Sequence, residues 1–246
     1  GPPNLSFTNF GGLTDASHVQ SAIYAFGGSD TLAWRRGKHN WTFGGGYNRY
    51  FNNTDTDANG RGTFTFSGLS TSLINPDGTV AARTGFDFAD FLLGMPNSNS
   101  IRYGSSNTYF RSNGYFAFAQ DDWRVASNLT LNLGLRYEYF SPWSEKYGRV
   151  ANLDIAPGFT AVSVVTPGVL GPYSGMAYPT GLIQPDRNNF APRTGLAWKP
   201  SAKSSLVVRL GYGWYYNPGV EYQFESRLSA QPPVAQSTSV TTSLAN

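Results

Sequence analysis

The sequence predicts an all-β fold: antiparallel up-and-down strands that form an open segment of a large transmembrane β-barrel, with long loops and one short helix. Three observations predict it. From Leu129 to Tyr139 apolar and polar residues alternate without a fault, and a period of two is the signature of a strand. Short turns join strands in pairs, whereas long excursions join one pair to the next. Aromatic residues gather at two levels, beside the short turns and at the far ends of the strands.

Composition bounds the reading. The chain has 246 residues, with 13% charged and 15% aromatic side chains and 28 glycines. That charge content is about half of what soluble domains carry. The net charge of +3 comes from scattered cations, so no nucleic-acid partner is expected. No cysteine is present, which removes disulfides, thiolate metal sites and cysteine nucleophiles. No run approaches the roughly 18 apolar residues of a spanning helix, so a membrane protein of this sequence is expected to be a barrel. The chain opens Gly1-Pro-Pro-Asn4 with neither initiator Met nor signal peptide, and ends in a polar run over 236–246. It reads as a piece of a longer protein. The expected organisation is a fragment of one β-barrel domain over 1–246. Strand hairpins fall at 19–52, 114–140 and 189–217, and long extracellular loops at 52–110 and 141–188.

Taken in order, residues 1–18 are rich in Gly, Asn, Ser and Thr and are expected to be irregular. A strand follows from Val19 to Trp34, with Tyr24, Phe26, Leu32 and Trp34 of one parity, and a polar turn centres on Gly37. The next strand, His39 to Phe51, sets Trp41, Phe43, Gly45, Tyr47 and Phe51 on one face, with Arg49 as the exception. Thr42, Gly44, Gly46, Asn48 and Tyr50 take the other face. The first excursion holds a polar loop at 52–60, a short strand at 62–66 and a turn at 75–78. It also holds a short helix from Phe86, stopped by Gly94 and Pro96. So short a helix needs a surface to dock on.

A strand from Gly114 to Arg124 has ambiguous parity, because Phe116 and Phe118 oppose Tyr115 and Trp123. After a tight turn, Leu129, Leu131, Leu133, Leu135, Tyr137 and Tyr139 line one face, and Thr130, Asn132, Gly134, Arg136 and Glu138 the other. The second excursion, 141–188, is rich in Pro, Gly and Tyr. Phe190 to Trp198 is the next strand, with Pro192 near its start, where proline is tolerated. Leu206, Val208, Leu210, Tyr212, Trp214 and Tyr216 then repeat the leucine pattern, and after Pro218 it fades.

Taken alone, the leucine strand favours a half-buried strand of a soluble sheet over a lipid-facing one. The rest of the chain favours lipid. Short turns at one end and long loops at the other describe outer-membrane barrels. Trp34, Trp41, Trp123 and Trp198 lie beside short turns, and Tyr137, Tyr139, Trp214 and Tyr216 lie at far strand ends, as two interfacial girdles would. Ten residues of strand span roughly 33 Å and, tilted by about 40°, rise about 25 Å, the height of the apolar band. Leu129, Leu131, Leu133, Leu135, Val208 and Leu210 are therefore expected to face outer-membrane lipid. Arg136, Glu138, Arg193 and Arg209 are expected to face the lumen as the strands' candidates for substrate contact, with pairing to one another or to a plug the favoured role.

Phe118-Ala-Gln-Asp-Asp-Trp-Arg124 followed by Leu129-Thr-Leu-Asn-Leu-Gly-Leu-Arg-Tyr-Glu138 resembles the barrel of TonB-dependent outer-membrane receptors. Arg36-Gly-Lys-His39, Phe88-Ala-Asp-Phe-Leu-Leu-Gly94 and Asn189-Phe-Ala-Pro-Arg-Thr-Gly195 resemble the Oar-like branch. The resemblance covers residues 19–217. It implies a barrel of about 22 strands with a plugged lumen, TonB and a plug domain as partners, and active import of a scarce or bulky substrate. The chain departs from that pattern in having no plug, no TonB-contacting segment and no aromatic C-terminal strand end.

No catalytic constellation is visible, so an enzyme is not expected, nor is a cofactor or metal. His18 and His39 lack ligand spacing and read as solvated loop residues. Asp121 and Asp122 point to opposite faces of a strand, which prevents a carboxylate dyad. Asp55 and Asp57 lack the spacing and terminal Glu of a calcium loop. Loop aromatics Trp143, Tyr147, Tyr173 and Tyr178 are candidates for substrate contact or for loop packing. The competing function is a cell-surface adhesion or carbohydrate-binding β protein without transport.

Overall fold

The long alternating strands pair in chain order. The computed structural model describes residues 1–15, 18–56, 58–104, 107–203, 205–217 and 219–243. Along them run β1 (Asn4–Phe7), β2 (Val19–Arg36), β3 (His39–Thr56), β4 (Thr63–Phe66) and α1 (Asp87–Leu92). Next come β5 (Ser98–Gly104), β6 (Asn107–Ala126), β7 (Leu129–Phe140), β8 (Ser144–Glu145), β9 (Asn152–Ile155) and β10 (Val162–Val165). The chain ends with β11 (Phe190–Trp198), β12 (Val208–Gly213), α2 (Gly219–Leu228) and β13 (Ala235–Thr241). It divides into two compact units.

The larger unit, Ala22–Asn53 with Tyr109–Ser229, holds an open meander in the order β12-β11-β7-β6-β3-β2, with β8 paired to β6. Its short turns cluster at one end. The β2–β3 turn is Gly37-Lys38, where Gly37 has φ 60°, a conformation that glycine adopts without strain. Lys38 Nζ donates to the Val125 carbonyl at 3.1 Å, and Lys199 N–H donates to that of Asn128 at 2.9 Å, tying adjacent turns together.

β7 and β11 have the predicted bounds, but other elements differ. β3 continues five residues past Phe51, because β2 and β6 supply ladder partners to a polar stretch of weak strand propensity. β6 begins at Asn107 rather than Gly114. β12 stops at Gly213, short of Trp214 and Tyr216. Its partner explains this. Pro192 accepts from Trp214 N–H at 3.1 Å but has no N–H to return, so the ladder ends there. Beyond β12 the chain resumes as α2. Phe110, Val150, Leu182 and Leu228 form the unit's buried core, with Trp143, Tyr178, Ile183 and Tyr222 packed on it.

The smaller unit, Gly1–Ser21, Thr54–Thr108 and Ala230–Asn246, is a sheet of order β1-β4-β5-β13. Residues 1–18 are not wholly irregular: β1 runs parallel to β4, Asn4 opposite Thr63 through Phe7 opposite Phe66. The polar tail likewise enters β13, antiparallel to β5. The helix begins at Asp87, and its surface is aromatic. Phe91 meets Phe7 and Phe66 edge-on, with centroids 5.6 and 5.4 Å apart. Asp90, fully buried, accepts from Thr71 N–H at 2.9 Å and from its hydroxyl at 2.8 Å. Asp87 accepts from Asn9 N–H at 2.6 Å. Among the described residues no helix is long and apolar enough to cross a membrane.

Candidate functional site

The register of the meander assigns its two faces. Tyr139, Leu135, Leu133 and Leu131 stand opposite Tyr115, Ala119, Asp121 and Trp123 of β6. On the other side of β7, Tyr137, Leu131 and Leu129 stand opposite Phe190, Leu196 and Trp198 of β11, whose Leu196 and Trp198 face Leu210 and Val208 of β12. Opposed residues project to the same side. The six leucine and valine positions and Tyr137, Tyr139, Trp123 and Trp198 therefore share one apolar face. Trp41 is joined to it through His39, whose ring stacks at 6.0 Å on Trp41 and at 5.4 Å on Trp123. Tyr47 meets Tyr115 at 5.0 Å, and Tyr115 meets Tyr139 at 6.2 Å, a second aromatic level. On β2, Trp34 shares the parity of Tyr24, whose ring stacks on Phe51 at 5.0 Å. Trp214 and Tyr216 lie beyond β12: Trp214 Nε1 donates to the Tyr212 hydroxyl, and the Tyr216 hydroxyl donates to the Phe190 carbonyl at 3.3 Å.

His39 is a strand residue of β3, not a solvated loop histidine, and its Nδ1 lies 2.6 Å from Asp121 Oδ2. Asp122 is on the opposite face, where its Oδ1 accepts from Asn132 at 2.7 Å and Gln120 at 3.3 Å. Of the other acidic pair, Asp55 falls in β3 and Asp57 lies outside the described residues.

The polar face carries Arg136, Glu138, Arg193 and Arg209, the last opposite Ala197. Arg136 Nε donates to Glu138 Oε1 at 2.7 Å, and its guanidinium lies 4.2 Å above the Phe116 ring. Phe116 and Phe118 belong to this face, which resolves the parity of β6. Glycines make room for them. A Cβ on Gly46 would stand 2.6 Å from Phe116 Cζ, and one on Gly44 would collide with the Phe118 ring. The aromatic rings on the polar side are thus sunk against bare backbone.

Further along, glycines floor a shallow groove of about 390 Å³. Gly134, Gly195, Gly211 and Gly213 form the floor, and Gln120, Asn132, Arg193 and Tyr215 wall it. The Arg193 guanidinium lies 4.6 Å from the Tyr215 ring, and its Nε is buried without a hydrogen-bond partner. Arg193 and Arg209 make no ion pair among the described residues, unlike Arg136. A cation, amides and an aromatic ring over a glycine floor can bind a polar or anionic surface.

In the 141–188 loop, Trp143 and Tyr178 pack on the core, while Tyr147 and Tyr173 are exposed. Two carboxylates tie this loop. Glu145 accepts from the N–H groups of Tyr109, Tyr147 and Arg149 at 2.8–3.0 Å. Asp154 accepts from those of Tyr173 and Ser174 and from the Tyr178 hydroxyl. Burial pushes both pKa values up, but the hydrogen bonds outweigh it and hold both below the usual carboxylate range. Burial, reinforced by Asp154, pushes the Tyr178 phenol up.

The sequence reading missed the glycine seats of Phe116 and Phe118 and the bond between His39 and Asp121. The signal for the first was Gly44 and Gly46 at the spacing of the two phenylalanines. The second carried none, since its partners are 82 residues apart.

An open antiparallel meander with one leucine-rich and one polar face, aromatic at two levels, defines the wall of a membrane β-barrel. A family profile for an outer membrane beta barrel domain matches residues 1–246, and the chain belongs to that family. It is therefore an outer-membrane protein segment of a Gram-negative bacterium. None of the curated proteins matches it.

Proposed function

We propose that this segment is part of the wall of a TonB-dependent transporter of the Oar-like kind, importing a scarce or bulky substrate. Its leucine face meets lipid, and its polar face meets a plugged lumen. The observation that carries this reading is the polar face. Its Arg193 groove and the Arg136–Glu138 pair offer a plug or a substrate a charged surface, where a soluble sheet would bury this side or leave it merely hydrated. The chain's part is to bind and to line the lumen, without chemistry of its own. TonB, working from the inner membrane, is the energy-coupling partner.

The test is single cysteines along β7 and β12 of the full-length protein in membranes, probed with a water-soluble thiol reagent. Leu131, Leu133, Val208 and Leu210 are expected to be protected, and Asn132, Gly134 and Gly211 to react at least partly. Leucines that react as freely as their neighbours overturn the lipid-facing assignment. Association of the full-length protein with the periplasmic domain of TonB is expected. Its absence, with the leucines still protected, would leave the adhesion or carbohydrate-binding reading in its place.

A further inference from the structure

On the apolar face, just past the Tyr47–Tyr115–Tyr139 level, lies a cationic cluster. Arg49 interrupts the apolar parity of β3, and Arg111 occupies the same face of β6. Both guanidinium groups sit on one ring, 5.8 and 4.8 Å from the centroid of Phe51. Neutral amides hold them there. Arg49 Nη1 donates to Asn113 Oδ1 at 2.7 Å, and the Tyr47 hydroxyl donates to the same oxygen at 2.8 Å. Arg111 Nη1 donates to Asn53 Oδ1 at 2.7 Å, while Asn53 Nδ2 donates to the Tyr24 hydroxyl. Arg187, exposed, places a third guanidinium 5.8 Å from the Tyr139 ring. No ion pair joins these three cations to a carboxylate among the described residues. Two like charges held on one phenyl ring repel each other, and a bound anion relieves that repulsion.

We propose that Arg49, Arg111 and Arg187 bind the phosphate of a membrane lipid headgroup. This rests on the reading that the leucine face meets lipid. Tyrosine belts lie at the depth of the headgroups, so guanidinium groups one or two strand positions beyond the belt lie among the headgroup phosphates. A guanidinium offers the paired donors that phosphate oxygens accept. Asn53 and Asn113 orient those donors without neutralising them. A free phosphate shares this chemistry, but the aromatic surroundings and the adjoining apolar face favour an anion attached to acyl chains.

The experiment is native mass spectrometry of the full-length protein released from detergent. Three probes are used: a bisphosphorylated glycolipid, its dephosphorylated counterpart with the same acyl chains, and inorganic phosphate. The bisphosphorylated lipid should bind, and the R49Q/R111Q variant should bind it about tenfold or more weakly, as expected for two lost surface cations facing an anionic headgroup. R187Q, at an exposed position whose side chain makes no hydrogen bond among the described residues, should weaken binding with no effect on folding. Equal binding of the dephosphorylated lipid, or unchanged binding by both variants, overturns the proposal. Inorganic phosphate displacing the lipid at equal concentration overturns the lipid assignment in favour of a free-phosphate site. Protection of single cysteines introduced by Leu133→Cys and Leu210→Cys in the same preparation separates the two readings. If they are protected and the lipid shows no preference, only this inference fails; if they react, the orientation fails with it.

Discussion

His39 Nδ1 and Asp121 Oδ2 lie 2.6 Å apart on the face of the sheet that carries the leucines, with Asp121 directly opposite Leu133. Asp121 is 4% exposed, and the histidine, lodged against Trp41 and Trp123, is its hydrogen-bond partner. A buried polar group that loses its partner costs about 1–3 kcal/mol. His39→Ala is therefore expected to destabilise the full-length protein by that amount. The double variant with Asp121→Ala should recover part of the loss, because no carboxylate is then left unpaired. Urea unfolding in detergent, followed by tryptophan fluorescence, measures both. Equal midpoints for wild type and His39→Ala would refute the role of the pair.

The glycine seats make a complementary prediction. Gly46→Val forces a side chain into the space of the Phe116 ring, and overpacking of this kind costs about 1–3 kcal/mol. Phe116→Ala in the same chain should relieve the clash with the ring, though the new Cβ would still stand 2.9 Å from the Gly28 carbonyl oxygen. The double variant is expected to lose less stability than the two single variants together. A purely additive loss would mean that the contact is not what keeps position 46 a glycine.

Arg136 serves two partners, Glu138 and Phe116. Arg136→Ala leaves a carboxylate whose side chain is 14% exposed without its cation. Glu138→Ala leaves the guanidinium its ring contact. The arginine variant should therefore be the less stable of the two. A double-mutant cycle should give a coupling of about 0.5–3 kcal/mol, and zero coupling would remove the pair from the account of the polar face.

Acid should loosen the 141–188 loop. The folded pKa of Glu145 is held below its unfolded value by three N–H donors and Arg149. Its contribution is thus present above the ordinary Glu range, near about 4.3, and is lost as pH falls through the depressed folded value. Hydrogen exchange across 141–188 should be slow at neutral pH and should accelerate at acid pH. In Glu145→Gln the exchange should be faster at neutral pH and should change less with acid. A wild-type loop whose exchange, corrected for intrinsic rates, ignores pH would contradict this.

Much of the meander was legible because alternation is local information. Leu129 to Phe140 states its own period, and Phe190 to Trp198 states its bounds. Phe116 and Phe118 were not legible, since a strand rich in aromatics on both sides gives no parity. Only the opposition of Ala119 to Leu135 and Trp123 to Leu131 decides it. Arg193 and Arg209 could be assigned to a face from sequence, yet the glycine-floored groove beside Arg193 needs three strands in register.

By itself the sequence determined the strands of the meander, the two faces of every strand but β6, and their separation by short turns and long excursions, since side chains alternate along any strand whatever its neighbours. The tertiary structure alone decided where the polar, unpatterned stretches went. Asn4–Phe7, Thr63–Phe66, Ser98–Gly104 and Ala235–Thr241 join in one sheet although they come from distant parts of the chain. Of these only Thr63–Phe66 shows in the sequence, as a short alternating run; the other three have no periodic signal strong enough to announce them, and the sheet partners of all four are unannounced. Their stability comes from backbone ladders and aromatic contacts such as Phe7 on Phe66, stacked at 5.5 Å, which exist only once the chain has brought them together.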